Sequence, residues 1–391
     1  MVNNKKSILV FGGSDYQLSL IKKCKMIGLF TVAIDPNPEA EAQSYVDAFE
    51  VVGGQDFEKT CAVIEKHNIN AIITAATDKP LVMMARVAQK YNLSFYSKET
   101  AILATNKFLM KEKFIENNIP CAQGRLIESI PEDMNFPIVV KPIDNSGSRG
   151  VILCDNRAKA EKVFEEAKAH TRQSKLMAEE VVEGTEYSIE SLHYNGKTKI
   201  IQITEKIVTP LPYFIELGHI QPGEISNEIY TKLENLMSEV STVFGFDNCG
   251  SHNEVKIQGD KITLIEVSPR IGGDFISSLL VESSTGISME KALIEISLGQ
   301  EPNIPSLTNQ ASGIFFFHFK EGILKSINNI EEILNLSEVV YYKLDLKPGD
   351  EIPKITIGSD RYGYVILKAD NREKLLNLKK EIFSAIHTEI E

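Results

Sequence analysis

Apolar and polar residues alternate in blocks along the amino-terminal part of this chain, in the pattern of buried strands separated by helices. Residues 7–11 (SILVF) and 30–34 (FTVAI) are continuous apolar runs, and shorter runs follow at 49–52 and 71–74. Apolar residues at helical spacing fill 57–67, between the third and fourth runs. This alternation predicts βαβ units on a parallel sheet, which bind ligands at the carboxyl ends of their strands.

The strand ends of this predicted sheet carry glycines and acidic side chains. Gly12 and Gly13 follow the first run, Asp35 follows the second, and Asp78 follows the fourth. The turn GGSDYQ lacks the third glycine of the GxGxxG fingerprint, although Asp35 lies about where a ribose-binding acid would sit. A dinucleotide site is therefore an alternative that the motif matches only loosely.

A lysine at the start of a predicted helix is the next candidate. The pattern over 97–118 is helical, with a cap near Thr105 and Lys107 in the first turn after it. Lysine is disfavoured at this end of the helix dipole, so Lys107 is either a solvated surface charge or is held there by an anion.

A glycine- and serine-rich loop joins two further predicted strands. The first strand, in FPIVVKP, delivers Lys141, and the second begins at Val151. The loop between them, DNSGSRG at 144–150, could turn successive backbone N–H groups toward one concavity and cover phosphates. It has no GK[ST] and no following helix, so it is not a Walker loop, and a mobile hairpin without a ligand is the alternative.

Acidic residues mark the next chain reversal, in EEVVEGTE. Glu179 and Glu180 end one predicted strand, and Glu186 begins the next after Gly184. Backbone groups at such a reversal can bind an adenine edge, and a carboxylate suits ribose hydroxyls. Taken alone, the segment is better explained as an ordinary acidic hairpin.

The segment NEVKIQGDKITLIEVSPRIGGD predicts the hairpin around which the chain is organised. It reads as strands at 253–258 and 262–267 with a three-residue loop at 259–261. That loop places Glu254 directly opposite Glu266, with Cβ atoms about 5 Å apart. A slip of one residue would send Glu266 to the other face of the sheet, so the pairing depends on the register.

Two opposed carboxylates repel each other, and a divalent cation between them would remove the repulsion. Hard oxygen ligands suit Mg²⁺ or Mn²⁺. Ser268, a weaker oxygen ligand, and Arg270, a planar donor fork suited to a phosphoryl or carboxylate group, follow directly. A solvated hairpin with ordinary surface charges is the alternative.

Composition limits the classes of protein that this chain can be. Its 391 residues allow two or three domains, and 43% hydrophobic with 25% charged residues is typical of a globular protein. The net charge of −12 argues against a nucleic-acid or anionic-membrane binder. Five scattered cysteines without a CxxC pair predict reduced thiols. The first apolar run breaks at Gly12, too early for a signal peptide or a membrane span, so we expect a soluble cytoplasmic protein.

The last part of the chain changes character. Short strand patterns (GIFFFHF, VVYYKLDL, KITIG, RYGYVILKA) precede a closing amphipathic helix, EKLLNLKKEIFSAIH. This order predicts a small α+β unit.

Lys107, VVKP, SGSRG, EEVVEGTE and LIEVSPR occur in this order, and together they resemble the ATP-grasp ligase superfamily. The resemblance covers nearly the whole chain. It implies an α/β and α+β fold, with a Rossmann-like pre-ATP-grasp domain at 1–100, an ATP-grasp core at 101–305 with a flap subdomain at about 120–185, and a C-terminal α+β domain at 306–391 like that of the biotin carboxylase and purine carboxylate-amine ligase branch. The L-amino-acid ligases are the most similar branch, and the formate-dependent purine ribonucleotide formyltransferase is close behind.

The resemblance also implies an ATP site. Its residues would be two lysines, the flap and the segment that matches the adenine hinge, namely Lys107, Lys141, Ser146, Gly147, Ser148, Arg149, Gly150, Glu179, Glu180, Val182 and Glu186. The lysines would contact phosphates, with Lys141 also near the adenine, and the flap would close over the phosphates. Glu179 would accept from the adenine amino group, Glu180 and Val182 would lend backbone groups, and Glu186 would bind ribose.

Metal and substrate residues follow from the same resemblance. Glu254 and Glu266 would hold two Mg²⁺ ions (or Mn²⁺) with Ser268, where many members have Asn, and Arg270 would steady the transferred phosphoryl group. Glu216 and His219, predicted to lie on a proline-rich loop, would contact an amino-acid substrate, and either is a candidate for the base that deprotonates the amine.

Three functions compete at this stage. The first is ATP-dependent condensation of a small-molecule carboxylate with an amine through an acyl phosphate, which leaves ADP and phosphate. The second is a purine-pathway enzyme with a phosphoribosyl substrate, and the third is a non-catalytic ATP-binding protein. The resemblance implies a homodimer, and the net charge argues against nucleic-acid or membrane partners.

Overall fold

The computed structural model describes residues 5–144, 150–168, 171, 175–210 and 213–391. The flap residues Ser146, Gly147, Ser148 and Arg149 lie outside the described residues.

The amino-terminal sheet consists of four parallel strands, as predicted. They are β1 (Ser7–Phe11), β2 (Phe30–Asp35), β3 (Ala48–Val51) and β4 (Ala71–Ile73), in the order β3-β2-β1-β4. The helices are α1 (Asp15–Met26), α2 (Phe57–His67) and α3 (Leu81–Tyr91). Every residue of β1 is buried, because helices cover both faces of the sheet.

The segment predicted to be helical over 97–118, with a cap near Thr105, forms two helices, α4 (Lys98–Thr105) and α5 (Lys107–Glu116). Asn106 separates them with an extended backbone, and its side chain accepts hydrogen bonds from the backbone N–H groups of Phe108 (3.0 Å) and Leu109 (3.2 Å). Asn106 is therefore the cap, one residue beyond the predicted Thr105. Lys107 occupies the first position of α5.

A second sheet of four antiparallel strands follows, and α6 (Arg157–Lys168) packs on it. Its strands are β5 (Gly124–Ile127), β6 (Ile138–Lys141), β7 (Ile152–Cys154) and β8 (Leu176–Glu180), in the order β5-β8-β6-β7. Val140 and Leu176 of the sheet and Phe164 of the helix share one buried apolar cluster. The predicted strands before and after the glycine-rich loop are confirmed.

The largest sheet has eight antiparallel strands. The elements after β8 are β9 (Thr185–Tyr194), β10 (Lys197–Val208), β11 (Glu216–Gln221), α7 (Asn227–Phe244), β12 (Cys249–Gln258), β13 (Lys261–Ser268), a π-helical turn (Ile276–Leu280), α8 (Val281–Thr285), α9 (Met289–Ser297), β14 (Ala311–Phe316), β15 (Gly322–Asn328), α10 (Ile330–Leu334), β16 (Val339–Leu344), β17 (Glu351–Ile352), β18 (Gly363–Ala369), α11 (Arg372–Ala385) and β19 (His387–Ile390). The large sheet has the order β13-β12-β9-β10-β11-β14-β18-β16, and a three-stranded sheet has the order β17-β15-β19. Strands from the last part of the chain thus extend the sheet that β9–β13 begin.

Two predicted segments differ from the structure. Glu216 and His219 lie on β11 and not on a loop, because β11 pairs with both β10 and β14, which are distant in sequence. KITIG, at 354–358, is not a strand. There the N–H groups of Thr356 (2.8 Å) and Ile357 (3.0 Å) donate to the Asp360 carboxylate, and this local turn takes the donors that a ladder would need. Among the described residues, no helix is long and apolar enough to cross a membrane.

Candidate functional site

A cleft lies between the antiparallel four-stranded sheet (β5–β8) and the eight-stranded sheet. Eleven of the residues predicted from the sequence line it: Lys107, Lys141, Glu179, Glu180, Val182, Glu186, Glu216, Glu254, Glu266, Ser268 and Arg270. His252, Lys256 and Phe214 also line it, and sequence reasoning missed them. Gly150 and His219 do not line it, and His219 is buried behind its wall.

The hairpin at the cleft brings its two carboxylates into register, although not through the predicted turn. The connection has two residues, Gly259 and Asp260, and Gly259 adopts a left-handed backbone with φ of 62°. A bulge at Ile265 then restores the count, because Val255 pairs with Leu264 while Glu254 pairs with Glu266. The predicted opposition of the two glutamates is confirmed, and the predicted three-residue loop is wrong.

Each of these glutamates has a lysine partner. Lys107 donates to Glu266, and Lys206 Nζ lies 2.5 Å from Glu254 Oε1. His252 Nε2 is 3.5 Å from the same Glu254 oxygen. Burial alone would raise the pKa of Glu254, but Lys206 and His252 more than offset it and hold this pKa well below its usual value. Glu254 is therefore a carboxylate at neutral pH.

Lys206 is the residue that sequence reasoning missed most plainly. Its Nζ lies 3.0 Å from Glu186, 3.8 Å from Glu216 and 2.5 Å from Glu254, so one buried ammonium holds three carboxylates together. These charges outweigh its burial and raise the pKa of Lys206 well above its usual value. The signal in the sequence is a lysine within the apolar pattern of β10, where only a paired charge is tolerated.

The other end of the cleft is formed by β6 and β8. Glu179 lies between two lysines, with Lys141 Nζ at 2.5 Å and Lys111 Nζ at 3.0 Å. Burial lowers the pKa of Lys141, which the charge of Glu179 counteracts in part. Lys256 donates to the Val182 carbonyl at 3.2 Å. Hydrogen-bonding groups and apolar side chains therefore share this end, as a planar heterocycle requires.

The guanidinium of Arg270 is held by Asp78, which lies in the segment after strand β4 of the amino-terminal sheet. Its Nε lies 3.0 Å from Asp78 Oδ1, its Nη2 lies 3.2 Å from Asp78 Oδ2, and the Ser268 hydroxyl donates to Asp78 Oδ1 at 2.6 Å. Burial alone would raise the pKa of Asp78, but the charge of Arg270 and the hydrogen bonds lower it. The segment after β4 thus reaches the same cleft as the hairpin.

Behind the cleft, a second ion pair joins β11 to the last part of the chain. Asp274 Oδ2 lies 2.8 Å from Arg361 Nη1 and 3.6 Å from His219 Nε2. Burial alone would raise the pKa of Asp274, but His219 and Arg361 lower it well below its usual value. Asp274 (φ 45°) and Phe275 (φ 60°) both have left-handed backbones, a conformation that aspartate tolerates but that is costly for the bulky Phe275. This strain marks the loop after the hairpin as a constrained part of the site.

The donor set of the cleft fits a magnesium ion bound together with phosphates. Two opposed carboxylates and a hydroxyl supply hard oxygen atoms. Within the described ranges, no group of three or more His, Cys, Asp or Glu could hold a metal. Mg²⁺ commonly uses one or two carboxylates and takes its remaining ligands from substrate phosphates and water, so the set is sufficient.

Comparison with known proteins gives two family matches. The ATP-grasp domain family matches residues 134–278, and the L-amino acid ligase C-terminal domain 2 family matches residues 315–391. The first range contains the cleft residues of β6, β8 and the hairpin. The second contains Arg361.

Relatives of known activity have similar lengths. The L-arginine-specific L-amino acid ligase of Bacillus subtilis is 24% identical over 329 residues, which cover 80% of this chain and 79% of the relative. The formate-dependent phosphoribosylglycinamide formyltransferase of Wolinella succinogenes is 22% identical over 330 residues, covering 80% and 81%. The crystal structure of an L-amino acid ligase from Bacillus licheniformis superposes with a TM-score of 0.83 at 19% identity and covers 99% of each chain. The chain therefore contains an ATP-grasp domain and a C-terminal domain of the L-amino acid ligase type, and its ligase homologues support an enzyme that forms carbon–nitrogen bonds.

Proposed function

We propose that this enzyme forms an amide or peptide bond through an acyl phosphate and that an amino acid is one of its substrates. One observation carries the proposal: the cleft that contains Glu254 opposite Glu266 also contains a cation, Arg270, and a further carboxylate, Glu216. A zwitterionic amino acid needs a partner of each sign. The similarity to an L-amino acid ligase over 80% of the chain, and the match of the C-terminal domain family, support the same choice.

In this proposal, ATP lies along the cleft from β8 to the hairpin. The adenine lies against the segment after β8, where Glu180 and Val182 contribute backbone groups and Glu179 accepts from the amino group. Glu179 is already ionised and anchored by two lysines, so accepting a further hydrogen bond requires no protonation change. Glu186 binds ribose, and Lys107, Lys141 and the loop at 146–150 bind phosphates.

Glu254, Glu266 and Ser268 would hold Mg²⁺ (or Mn²⁺), which, when bound, offsets negative charge on the phosphoryl oxygens. The substrate carboxylate attacks the γ-phosphate of ATP, and Arg270 stabilises the charge on the transferred group. Lys107 and Lys206 already pair with the two glutamates, so both carboxylates are held in position before the substrates arrive.

The second step is attack of the amine on the acyl phosphate, and it needs a base. Glu216 is our candidate because it lines the cleft and burial raises its pKa, which brings it closer to the range useful for a base at neutral pH. His219 lies behind the cleft beside Asp274, where it can support the wall without touching the substrates. Exclusion of water by the flap would protect the intermediate.

The purine-pathway alternative draws support from the formyltransferase relatives. A phosphoribosyl substrate needs donors for its phosphate near the ends of β1 and β4. Of the donors there, the Gly13 N–H already donates to the acidic side chain of Asp35, at 2.8 Å from Oδ2. This engaged donor favours the amino-acid proposal.

We further propose the division into domains at 1–100, 101–305 and 306–391, and a homodimer, on the resemblance to the superfamily. Limited proteolysis and analytical ultracentrifugation would test these two points independently of activity.

Phosphate release over a grid of carboxylates and amines is the test of function. The grid should contain the proteinogenic amino acids in all pairs, together with formate and phosphoribosylamine-type acceptors. We expect ADP and phosphate only when a carboxylate and an amine are both present, with one amino acid common to the active pairs. Turnover confined to phosphoribosyl acceptors would establish the alternative instead.

A further inference from the structure

We propose that Asp78 is a positioning residue of the ligation site, which fixes the guanidinium of Arg270 and the hydroxyl of Ser268. The inference rests on the proposed function and assigns the amino-terminal sheet a direct part in it. Asp78 and Arg270 are 192 positions apart in sequence, and both side chains are largely buried, with 21% and 12% exposed.

The geometry accounts for the donors of the guanidinium. Asp78 accepts from Nε and from Nη2, and the Ile271 carbonyl accepts from Nη1 at 3.2 Å. A guanidinium has five N–H groups, so one on Nη1 and one on Nη2 are left. The arrangement therefore reserves two donors for an anionic oxygen in the cleft and prevents the side chain from rotating away.

The same carboxylate orients Ser268. The serine hydroxyl donates its proton to Asp78 Oδ1 at 2.6 Å, and this leaves the oxygen lone pairs to face other partners. A serine oriented in this way can act as an oxygen ligand or acceptor without competing for its own proton. One acidic side chain thus sets both a donor and an acceptor of the cleft.

The segment that carries Asp78 is itself anchored by helix α1. The Gln17 side chain accepts from the Ala75 N–H at 3.0 Å and donates to the Ala75 carbonyl at 2.6 Å. Ala76 then adopts a left-handed backbone (φ 55°), and a methyl group added at Gly273 would lie 3.6 Å from its Cβ. The segment after β4 therefore packs against the loop that carries Arg270.

The test compares Asp78→Asn with the matched control Asp47→Asn. Asp47 is likewise an ion-paired carboxylate of the amino-terminal part, since it pairs with Lys25 and accepts from the Thr31 N–H, but it lies outside the cleft. We expect D78N to lower kcat for ADP formation about 10- to 100-fold with KM for ATP unchanged, because the guanidinium is no longer held at the reacting group. D47N should keep the wild-type kcat.

A spectroscopic measurement separates this inference from the proposed function. In ¹⁵N-labelled protein without substrates, the Arg270 Nε–H resonance, assigned by its loss in R270K, should be protected from exchange in wild type and D47N. In D78N that protection should be lost while the unfolding temperature stays within a few degrees. Protection that persists in D78N, or an unchanged kcat, would overturn the inference. A wild-type protein that turns over no substrate pair counts against the proposed function alone, since the resonance still decides the role of Asp78.

Discussion

Lys206 Nζ lies 2.5 Å from Glu254 Oε1, although the two residues are on strands, β10 and β12, that are not paired with each other. Strand β9 lies between β10 and β12, and its Glu186 completes the contact at 3.0 Å from the same ammonium. Three neighbouring strands thus present one cation and two carboxylates to the cleft. The lysine and the two glutamates that balance its charge therefore all belong to the eight-stranded sheet.

Removal of that cation should destabilise the protein in a metal-dependent way. Lys206→Met leaves three carboxylates close together and largely buried, which should cost about 3 kcal/mol of unfolding free energy. Mg²⁺ that binds only the folded state should restore part of the loss. Thermal unfolding in EDTA and in Mg²⁺ measures both effects.

Lys232→Met is the control for this variant, because Lys232 forms an exposed pair with Glu228 on α7. Its loss should change stability by less than about 1 kcal/mol, with no added response to Mg²⁺. Equal stability of K206M and wild type in EDTA would show that the cluster does not need its ammonium.

Glu266→Gln should abolish ADP formation and leave the fold intact. The amide keeps the shape of the side chain but loses the charge opposite Glu254, and we expect a fall in rate of about 100-fold or more. Coupled measurement of ADP gives the rate, and circular dichroism checks the fold. The control, Glu282→Gln, removes a carboxylate that pairs with Lys23 outside the cleft and should retain activity. Normal turnover of E266Q with normal Mg²⁺ dependence would remove the metal-site assignment.

Lys141→Ala should weaken nucleotide binding. Loss of a charged hydrogen-bond donor from the cleft should raise the Kd for a non-hydrolysable ATP analogue about 10-fold or more, as measured by calorimetry. Lys111→Met is the matched variant: it removes the other lysine on Glu179, but Lys111 does not line the cleft. We expect a smaller change there. Equal affinity of K141A and wild type would contradict the phosphate-binding role.

His193 should make stability fall in mild acid. It is buried between Ser241, Ser251 and Thr198, with no carboxylate partner in the part of the chain that the structure describes, and burial lowers its pKa to about 3. The unfolded chain takes up a proton as the pH falls below about 6.5, whereas the folded chain does not until about pH 3. The contribution of His193 is therefore fully present above pH 6.5 and decreases by about 1.4 kcal/mol per pH unit below it.

Chemical denaturation between pH 7 and pH 4 measures how the unfolding free energy decreases with pH. Carboxylates titrate in the same range, so the contribution of His193 is obtained as the difference between wild type and a variant. His193→Gln should show a shallower decrease than wild type, whereas His387→Gln, which removes an exposed side chain on β19, should follow wild type. Identical slopes for H193Q and wild type, or protonation of His193 near pH 6.5 in NMR spectra, would contradict it.

The sequence determined the elements whose cause is local. Buried apolar runs define β1, β2 and β4, and caps such as Asn106 and Ser226 fix where helices begin. The alternation within the hairpin defines which face each glutamate occupies. The opposition of Glu254 and Glu266 could therefore be predicted even though the turn was misjudged, since a bulge at Ile265 compensates for the shorter loop.

Only the tertiary structure decided the partners of the charged groups. Asp78 meets Arg270 across 192 positions, Asp274 meets Arg361 across 87, and Lys206 meets Glu254 across 48. No local pattern encodes these pairs, because an ion pair depends on where folded strands bring two side chains and not on their spacing in sequence. Strand β11 was missed for the same reason, since its hydrogen-bond partners, β10 and β14, come from distant segments.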